Sequence, residues 1–232
     1  ALFTISSFKL CTIIFKGGLL MNKTFYQDLE KALKTNDKET SVTLTLEAYE
    51  KGLKPVAFYE TVLTPILNSI DCQEDDYACI WLEHQMSAIV RTLVEMSFPY
   101  VMKEKEMIKK DKHVLIVCPK DEYHELGAVM GSHLFKKAGF NTTYVGANTP
   151  LKTIDSALRI LKLDYLVLSV SNSYHLSETK KVIEHVQSHF SDVKVIGAGR
   201  GFSLNYDFFK DVIHTVITDY HSLKVFKESE GL

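Results

Sequence analysis

The 232-residue chain is poor in the residues that mark specialised architectures. With only 5 prolines and 11 glycines, it is not a collagen-like or Pro/Gly low-complexity chain. Its four cysteines, Cys11, Cys72, Cys79 and Cys118, show no CxxC spacing, which excludes a zinc knuckle and a dithiol redox motif of that form. A reducing cytoplasm is the simplest setting for them. Charge of one sign is not in excess either: 27 Lys and Arg face 29 Asp and Glu, for a net charge of -2. The signs are interspersed, and phosphate binding needs a clustered basic field, so direct nucleic-acid binding is not expected. No P-loop, GxSxG elbow or paired-cysteine metal site is present, so no catalytic constellation stands out. The apolar stretch 2–20 is broken by Lys9 and Lys16, too interrupted to span a bilayer, and no membrane association is expected.

What is present is a globular composition, 46% hydrophobic and 24% charged. The length suits one large or two modest domains. Met21-Asn22-Lys23-Thr24 reads as a natural start, and Lys16-Gly17-Gly18 can be encoded by a purine-rich run resembling a bacterial ribosome-binding site. Residues 1–20 are therefore expected to be leader or appended sequence.

Residues 21–110 read as a helical-bundle cap domain. From Phe25 to Lys110 the only glycine is Gly52, and Leu29, Leu33, Leu44, Leu46, Val62, Leu63, Ile66 and Leu67 recur at helical spacing. Four helices are expected, at about 24–35, 39–52, 55–70 and 74–104. Asn36-Asp37 separates the first pair, Gly52 with Pro55 punctuates the next junction, and Pro99 bends or ends the last. The charged run 104–112 reads as a solvated helix end plus linker.

Residues 111–232 change character. Short apolar runs at 113–118, 142–145, 165–170, 193–196 and 215–217 alternate with amphipathic helices at about 124–138, 150–162, 176–190, 205–211 and 220–228. Runs buried on both faces and separated by helices imply a parallel sheet covered on both sides. The expected fold class is α/β: a flavodoxin-like (Rossmann-like) five-stranded parallel sheet, strand order 2-1-3-4-5, preceded by a four-helix bundle cap.

Ligands of open α/β sheets sit outside the carboxyl ends of the strands, where the strand order reverses. The loops there read Pro119-Lys120-Asp121-Glu122-Tyr123-His124-Glu125-Leu126-Gly127 after the first strand, Ser169-Val170-Ser171-Asn172-Ser173-Tyr174-His175 after the third, and Gly197-Ala198-Gly199-Arg200-Gly201 after the fourth. A histidine, hydroxyls and glycines facing one concavity would suit a large planar ligand with a trailing group.

These residues carry a resemblance. Glu122-x-His124-x-x-Gly127, with Leu134, Gly139-Phe140, Tyr144-x-Gly146 and Pro150, resembles the cobalamin-binding domain shared by methionine synthase, corrinoid methyl-carrier proteins and vitamin B12 light sensors. That family's pattern is Asp-x-His-x-x-Gly, then Ser-x-Leu, then Gly-Gly. Here Glu122 replaces the Asp, Ser169-Val170-Ser171 keeps the first residue of the second element, and Gly197-Ala198-Gly199 approximates the third. The resemblance implies that the neutral imidazole of His124 binds cobalt as lower axial ligand, base-off/His-on. It also implies that a carboxylate two residues earlier holds the far ring nitrogen. Glu122 stands at that position, with Asp121 as a competing carboxylate. The resemblance also implies a slot for the displaced nucleotide tail lined by Gly127, Ser169 and Gly199, with Ser171 and Gly197 among the cofactor-binding residues. His133, His185, His189 and His214 show no ligand spacing.

The cap distinguishes branches of the family. Glu83-His84, after Trp81, resembles the Glu-His pair in the cap of B12 light sensors fused to MerR-type DNA-binding domains. In those sensors a Trp ten residues before the Glu packs over the adenosyl group, with a His beside it; those positions are Gln73 and Glu74 here. Trp81 or His84 is the substitute the sequence offers. The resemblance then implies a cobalamin-binding sensor or regulatory protein, a light-responsive photoreceptor in transcriptional regulation, holding adenosylcobalamin or methylcobalamin between cap and sheet. The second reading is a corrinoid carrier of a methyltransferase system, and the third an interaction module without a cofactor. Both cobalamin readings imply a protein partner, a regulator or a methyltransferase subunit, and both are compatible with a homo-oligomer.

Overall fold

The computed structural model describes residues 23–70, 72–73, 75–108 and 111–232. The expectation for residues 1–20 lies outside them. The described residues divide into two compact units, those up to Leu93 and those from Val94 to Leu232.

The first unit is helical. α1 (Lys23–Lys34) buries Leu29, Ala32 and Leu33. Asn36 in left-handed backbone (φ 56°) ends it, and Asp37 caps α2 (Lys38–Glu50) by accepting the Thr40 amide at 2.9 Å. Gly52, at φ 95°, closes α2, and Pro55 opens the next helical stretch at a position where its missing N–H is no loss. That stretch runs as α3 (Pro55–Ala57), a π-helical segment Phe58–Leu63 and α4 (Thr64–Asn68). Pro65 has no N–H to close an α-turn, and the Thr64 amide reaches five residues back to the Tyr59 carbonyl. α5 (Tyr77–Lys103) runs through Pro99 without ending there, and the division between the units falls inside it. Cys72 and Cys79 are joined by a disulfide, a pairing that a search for CxxC spacing misses.

The second unit is built on β1 (His113–Pro119), β2 (Asn141–Thr149), β3 (Tyr165–Ser169), β4 (Lys194–Ala198) and β5 (Thr215–Ile217). All pairings are parallel, in the order β2-β1-β3-β4-β5. The connecting helices are α6 (Leu126–Lys137), α7 (Leu151–Ile160), α8 (Leu176–His189), α9 (Arg200–Leu204), α10 (Tyr206–Phe209) and α11 (Tyr220–Ser229). The central strands are apolar on both faces because helices cover both. Leu115, Val117, Leu166 and Leu168 pack with Ile154, Val182, Ile183, Val186 and Phe202 in one buried cluster. The single helix expected at 205–211 is instead the short pair α9 and α10, because Gly199 turns the chain (φ 88°) and starts a helix at Arg200.

β2 is longer than its apolar run implies. Register shifts between Ile116 and Val117 and between Val117 and Pro119 let Gly146 (φ 129°) and Asn148 (φ 49°) depart from regular strand geometry. Such irregularities re-aim the backbone at strand ends. Here they bring the end of β2 beside the loop that follows β1.

Candidate functional site

β1 ends in a tight turn: the Glu122 amide donates to the Pro119 carbonyl at 3.0 Å, and Asp121 takes left-handed backbone (φ 70°) at the third position. The turn drives the Glu122 side chain inward, where it is fully buried. Four N–H groups meet its carboxylate. Oε1 accepts from the His124 amide at 2.8 Å and from His124 Nδ1 at 2.7 Å. Oε2 accepts from the amides of Ser171 at 2.8 Å and Asn172 at 3.2 Å. Burial by itself pushes this carboxyl's pKa up, but these hydrogen bonds to the charged form outweigh it and hold the pKa at about 2.

An ionised Glu122 has no proton to give, so the hydrogen between it and Nδ1 belongs to the ring, and a neutral His124 carries its lone pair on Nε2. The His124 side chain is 58% exposed. A buried anion thus orients an accessible imidazole by the nitrogen that is not presented outward, the arrangement by which outer carboxylates set the tautomer of metal-binding histidines. Asp121 does not compete: its carboxylate is half exposed and lies 3.5 Å from Lys120 Nζ.

The surroundings are set by both flanking loops. Tyr144 donates to Glu125 Oε2 at 2.6 Å, tying the start of α6 to β2. Behind Glu122, the Cys118 thiol is buried, and that burial, with the charges of Glu122 and Glu125, pushes its pKa up to about 12. It is not a nucleophile at neutral pH. Ser169 is buried at the end of β3 with its hydroxyl at Cys118. Ser171 contributes through its backbone.

The glycines separate into two kinds. A Cβ added to Gly127, in the first turn of α6, would meet nothing within 4 Å, and the same holds at Gly131 one turn later on the same face. Gly127 is exposed, and neither position is held to glycine by packing within the protein. The open space is room that a bound group can fill. At Gly199 a Cβ would lie 2.5 Å from the Val170 carbonyl oxygen, and at Gly197 it would lie 2.7 Å from the Phe202 ring. The fold itself requires glycine at both, whatever binds nearby.

The cap residues lie in the first unit. Trp81 is 69% exposed and, with Asn36, Lys38, Glu39, Gln85, Ala88 and Ile89, borders an open cavity of about 430 Å³. Glu83 Oε1 accepts from Ser87 Oγ at 3.1 Å, and Glu83 Oε2 lies 3.7 Å from His84 Nε2. Gln73 is exposed, and Glu74 lies outside the described residues.

Sequence reasoning missed two residues of this site. Asn172 supplies a backbone donor to Glu122, and Asn148 bonds the turn that carries it. The positive φ of Asn148 was open to suspicion from Gly146-Ala147-Asn148-Thr149-Pro150, a run of turn-forming residues.

The four histidines without ligand spacing are engaged elsewhere. His133 packs its ring against Phe98 at 5.0 Å, His185 meets Asp155 at 2.8 Å with His189 stacked on it, and His214 meets Glu230 at 2.8 Å. Among the described residues no group of three or more His, Cys, Asp and Glu could hold a metal ion. A single presented imidazole therefore suits a metal that arrives with most of its coordination shell, as cobalt does in a corrin ring. The residues present fit such a group: an oriented ring nitrogen and, on α6, space that side chains leave open.

Residues 112–220 match the family model of the B12 binding domain. The chain is 25% identical over 161 residues to the HTH-type transcriptional repressor CarA of Myxococcus xanthus, covering 69% of this chain and 53% of that protein. It thus spans about half the length of that curated relative. In fold it is similar to the monomethylamine corrinoid protein of Methanosarcina barkeri, with a TM-score of 0.75 at 14% identity over 90% of this chain and 99% of the other. No helix among the described residues is long and apolar enough to cross a membrane.

Proposed function

We propose that this chain, whose residues 112–220 match the family model of the B12 binding domain, is a cobalamin-binding sensor or regulatory protein. The observation that carries the ligand assignment is the Glu122–His124 pair at 2.7 Å, a buried carboxylate fixing the tautomer of an accessible imidazole. His124 Nε2 would bind cobalt in place of the cofactor's own base, and Gly127 would leave room for the part displaced. When bound, cobalamin supplies a cobalt–carbon bond that light can break. The chain's own residues hold and orient; none is arranged to attack a substrate, since the buried Cys118 keeps its proton.

The regulatory assignment is supported by the similarity to the CarA repressor and by Glu83-His84 in the first unit. Adenosylcobalamin or methylcobalamin would be the bound form, and a regulator protein the partner. The test is a visible absorption spectrum of the protein incubated in the dark with adenosyl-, methyl- and hydroxocobalamin, before and after illumination, with His124→Ala as control. A base-off/His-on spectrum lost in the variant, with a light-dependent change in assembly or partner binding, is the expected result. Tight binding that is insensitive to light, with methyl transfer on reduction, would replace the sensor with a corrinoid carrier. A protein that takes up no cobalamin would end both readings.

A further inference from the structure

The turn that carries Glu122 is tied to the neighbouring strand through Asn148. Asn148, near the end of β2, accepts the Asp121 amide on Oδ1 at 2.9 Å, while its own amide donates to the Glu122 carbonyl at 2.9 Å. Both ends of this double contact are left-handed: Asp121 at φ 70° and Asn148 at φ 49°. Asn and Asp tolerate that backbone better than other residues with a Cβ, because their short side chains can hydrogen-bond locally. Rotation about Asp121 would swing Glu122 away from Ser171 and Asn172, and with it the oxygen that holds His124 Nδ1. The register shifts at Val117 and Gly146 serve this contact, since a regular ladder would not aim Asn148 at the turn.

We propose that Asn148 is a positioning residue for His124, acting through the Asp121–Glu122 backbone to fix which ring nitrogen is presented outward. The ligand-binding part of this inference rests on the cobalamin reading above; the part concerning the ring does not. The side-chain nitrogen of Asn148 takes no part in the contact. The acceptor oxygen is the active part, so aspartate is a conservative replacement and glycine a clean deletion that keeps the left-handed backbone accessible.

The experiment compares the wild type with Asn148→Gly and Asn148→Asp. In the cobalamin-free protein at mildly alkaline pH, the 15N shifts of the His124 ring, assigned by their loss in His124→Ala, report the tautomer. The wild type is expected to show Nδ1–H alone, Asn148→Gly a mixture with Nε2–H, and Asn148→Asp the wild-type pattern. With hydroxocobalamin as probe, Asn148→Gly is expected to bind about tenfold more weakly, within the range that loss of a ligand-orienting partner produces. Asn148→Asp should restore most of the affinity. Identical ring shifts and affinities in the wild type and Asn148→Gly would overturn the inference, as would equal loss in both variants, which would show that the acceptor is not what matters. A wild type that binds no hydroxocobalamin would defeat the proposed function, and the ring shifts would still decide the role of Asn148.

Discussion

Glu122 Oε1 lies 2.7 Å from His124 Nδ1, and this contact couples a fully buried charge to an imidazole that is 58% exposed. The carboxylate has no contact with water and depends on four N–H donors from two loops. Glu122→Gln keeps the shape but turns an amide NH2 toward N–H groups that need an acceptor. Leaving buried donors unsatisfied costs about 1–3 kcal/mol per group, so the variant should lose about 2–4 kcal/mol of stability in urea unfolding. It should also lose the single-tautomer signature of His124. A loss below about 0.5 kcal/mol, within the usual scatter of surface substitutions, would mean that the carboxylate does not join the two loops.

The same charge sets a pH dependence. The folded pKa of Glu122, about 2, lies below its ordinary value of 4.5, so ionisation favours the folded state. That contribution is complete above about pH 4.5 and is lost as the pH falls from there through 2, with about 3 kcal/mol at stake. Glu230 titrates in the same window. Burial raises its pKa, but hydrogen bonds from Lys194, Tyr165 and His214, and the Lys194 charge, hold it at about 2. The Glu122 share is therefore read as a difference. Urea midpoints measured between pH 5 and 2 should fall less steeply for Glu122→Gln than for the wild type, and parallel curves would contradict the assignment.

Cys118 offers a check on the electrostatics behind the site. With its pKa pushed up to about 12 by burial and by the neighbouring carboxylates, its thiolate population at pH 8 is of the order of 1 in 10,000. Alkylation of the native protein at that pH should leave the peptide containing Cys118 unmodified, while unfolding in urea should expose it to complete reaction. Mass spectrometry of the digested protein distinguishes the two. Rapid native labelling of Cys118 would show that the floor of the site opens to solvent.

The parallel sheet and its order were legible because each central strand is a continuous apolar run, and each intervening helix keeps a single apolar stripe. β5 falls on the expected residues, and the other strands differ from expectation chiefly at their ends. β2 was misjudged for a physical reason. Its second half, Gly146-Ala147-Asn148-Thr149, pairs through an irregular register and not by apolar burial, so hydrophobic pattern does not reveal it. Within the site, the Glu122–His124 contact was expected from the resemblance of Glu122-x-His124-x-x-Gly127 to a family motif, a signal local in the sequence. The amides of Ser171 and Asn172 were not. They are backbone donors 49 and 50 residues away, and a backbone N–H leaves no trace in residue identity. Gly197 and Gly199 were read as ligand-facing, and the structure gives each a packing reason of its own, against the Phe202 ring and the Val170 carbonyl.

That last distinction yields opposite expectations for the same chemical change. Gly127→Ala places a methyl group where nothing lies within 4 Å, in a helix that gains from it. The cobalamin-free protein should be stabilised by about 0.5–1 kcal/mol, the usual difference between glycine and alanine inside a helix. Gly199→Ala must fit a methyl group 2.5 Å from the Val170 oxygen at φ 88°, and should cost about 2–4 kcal/mol. If the open space on α6 is kept for the cofactor, Gly127→Ala should bind hydroxocobalamin more weakly while melting at a higher temperature. Larger residues at the same position should extend the trend in affinity. Unchanged affinity through Gly127→Leu would show that the cofactor does not use that space, while leaving the stability difference between Gly127 and Gly199 as the fold alone dictates.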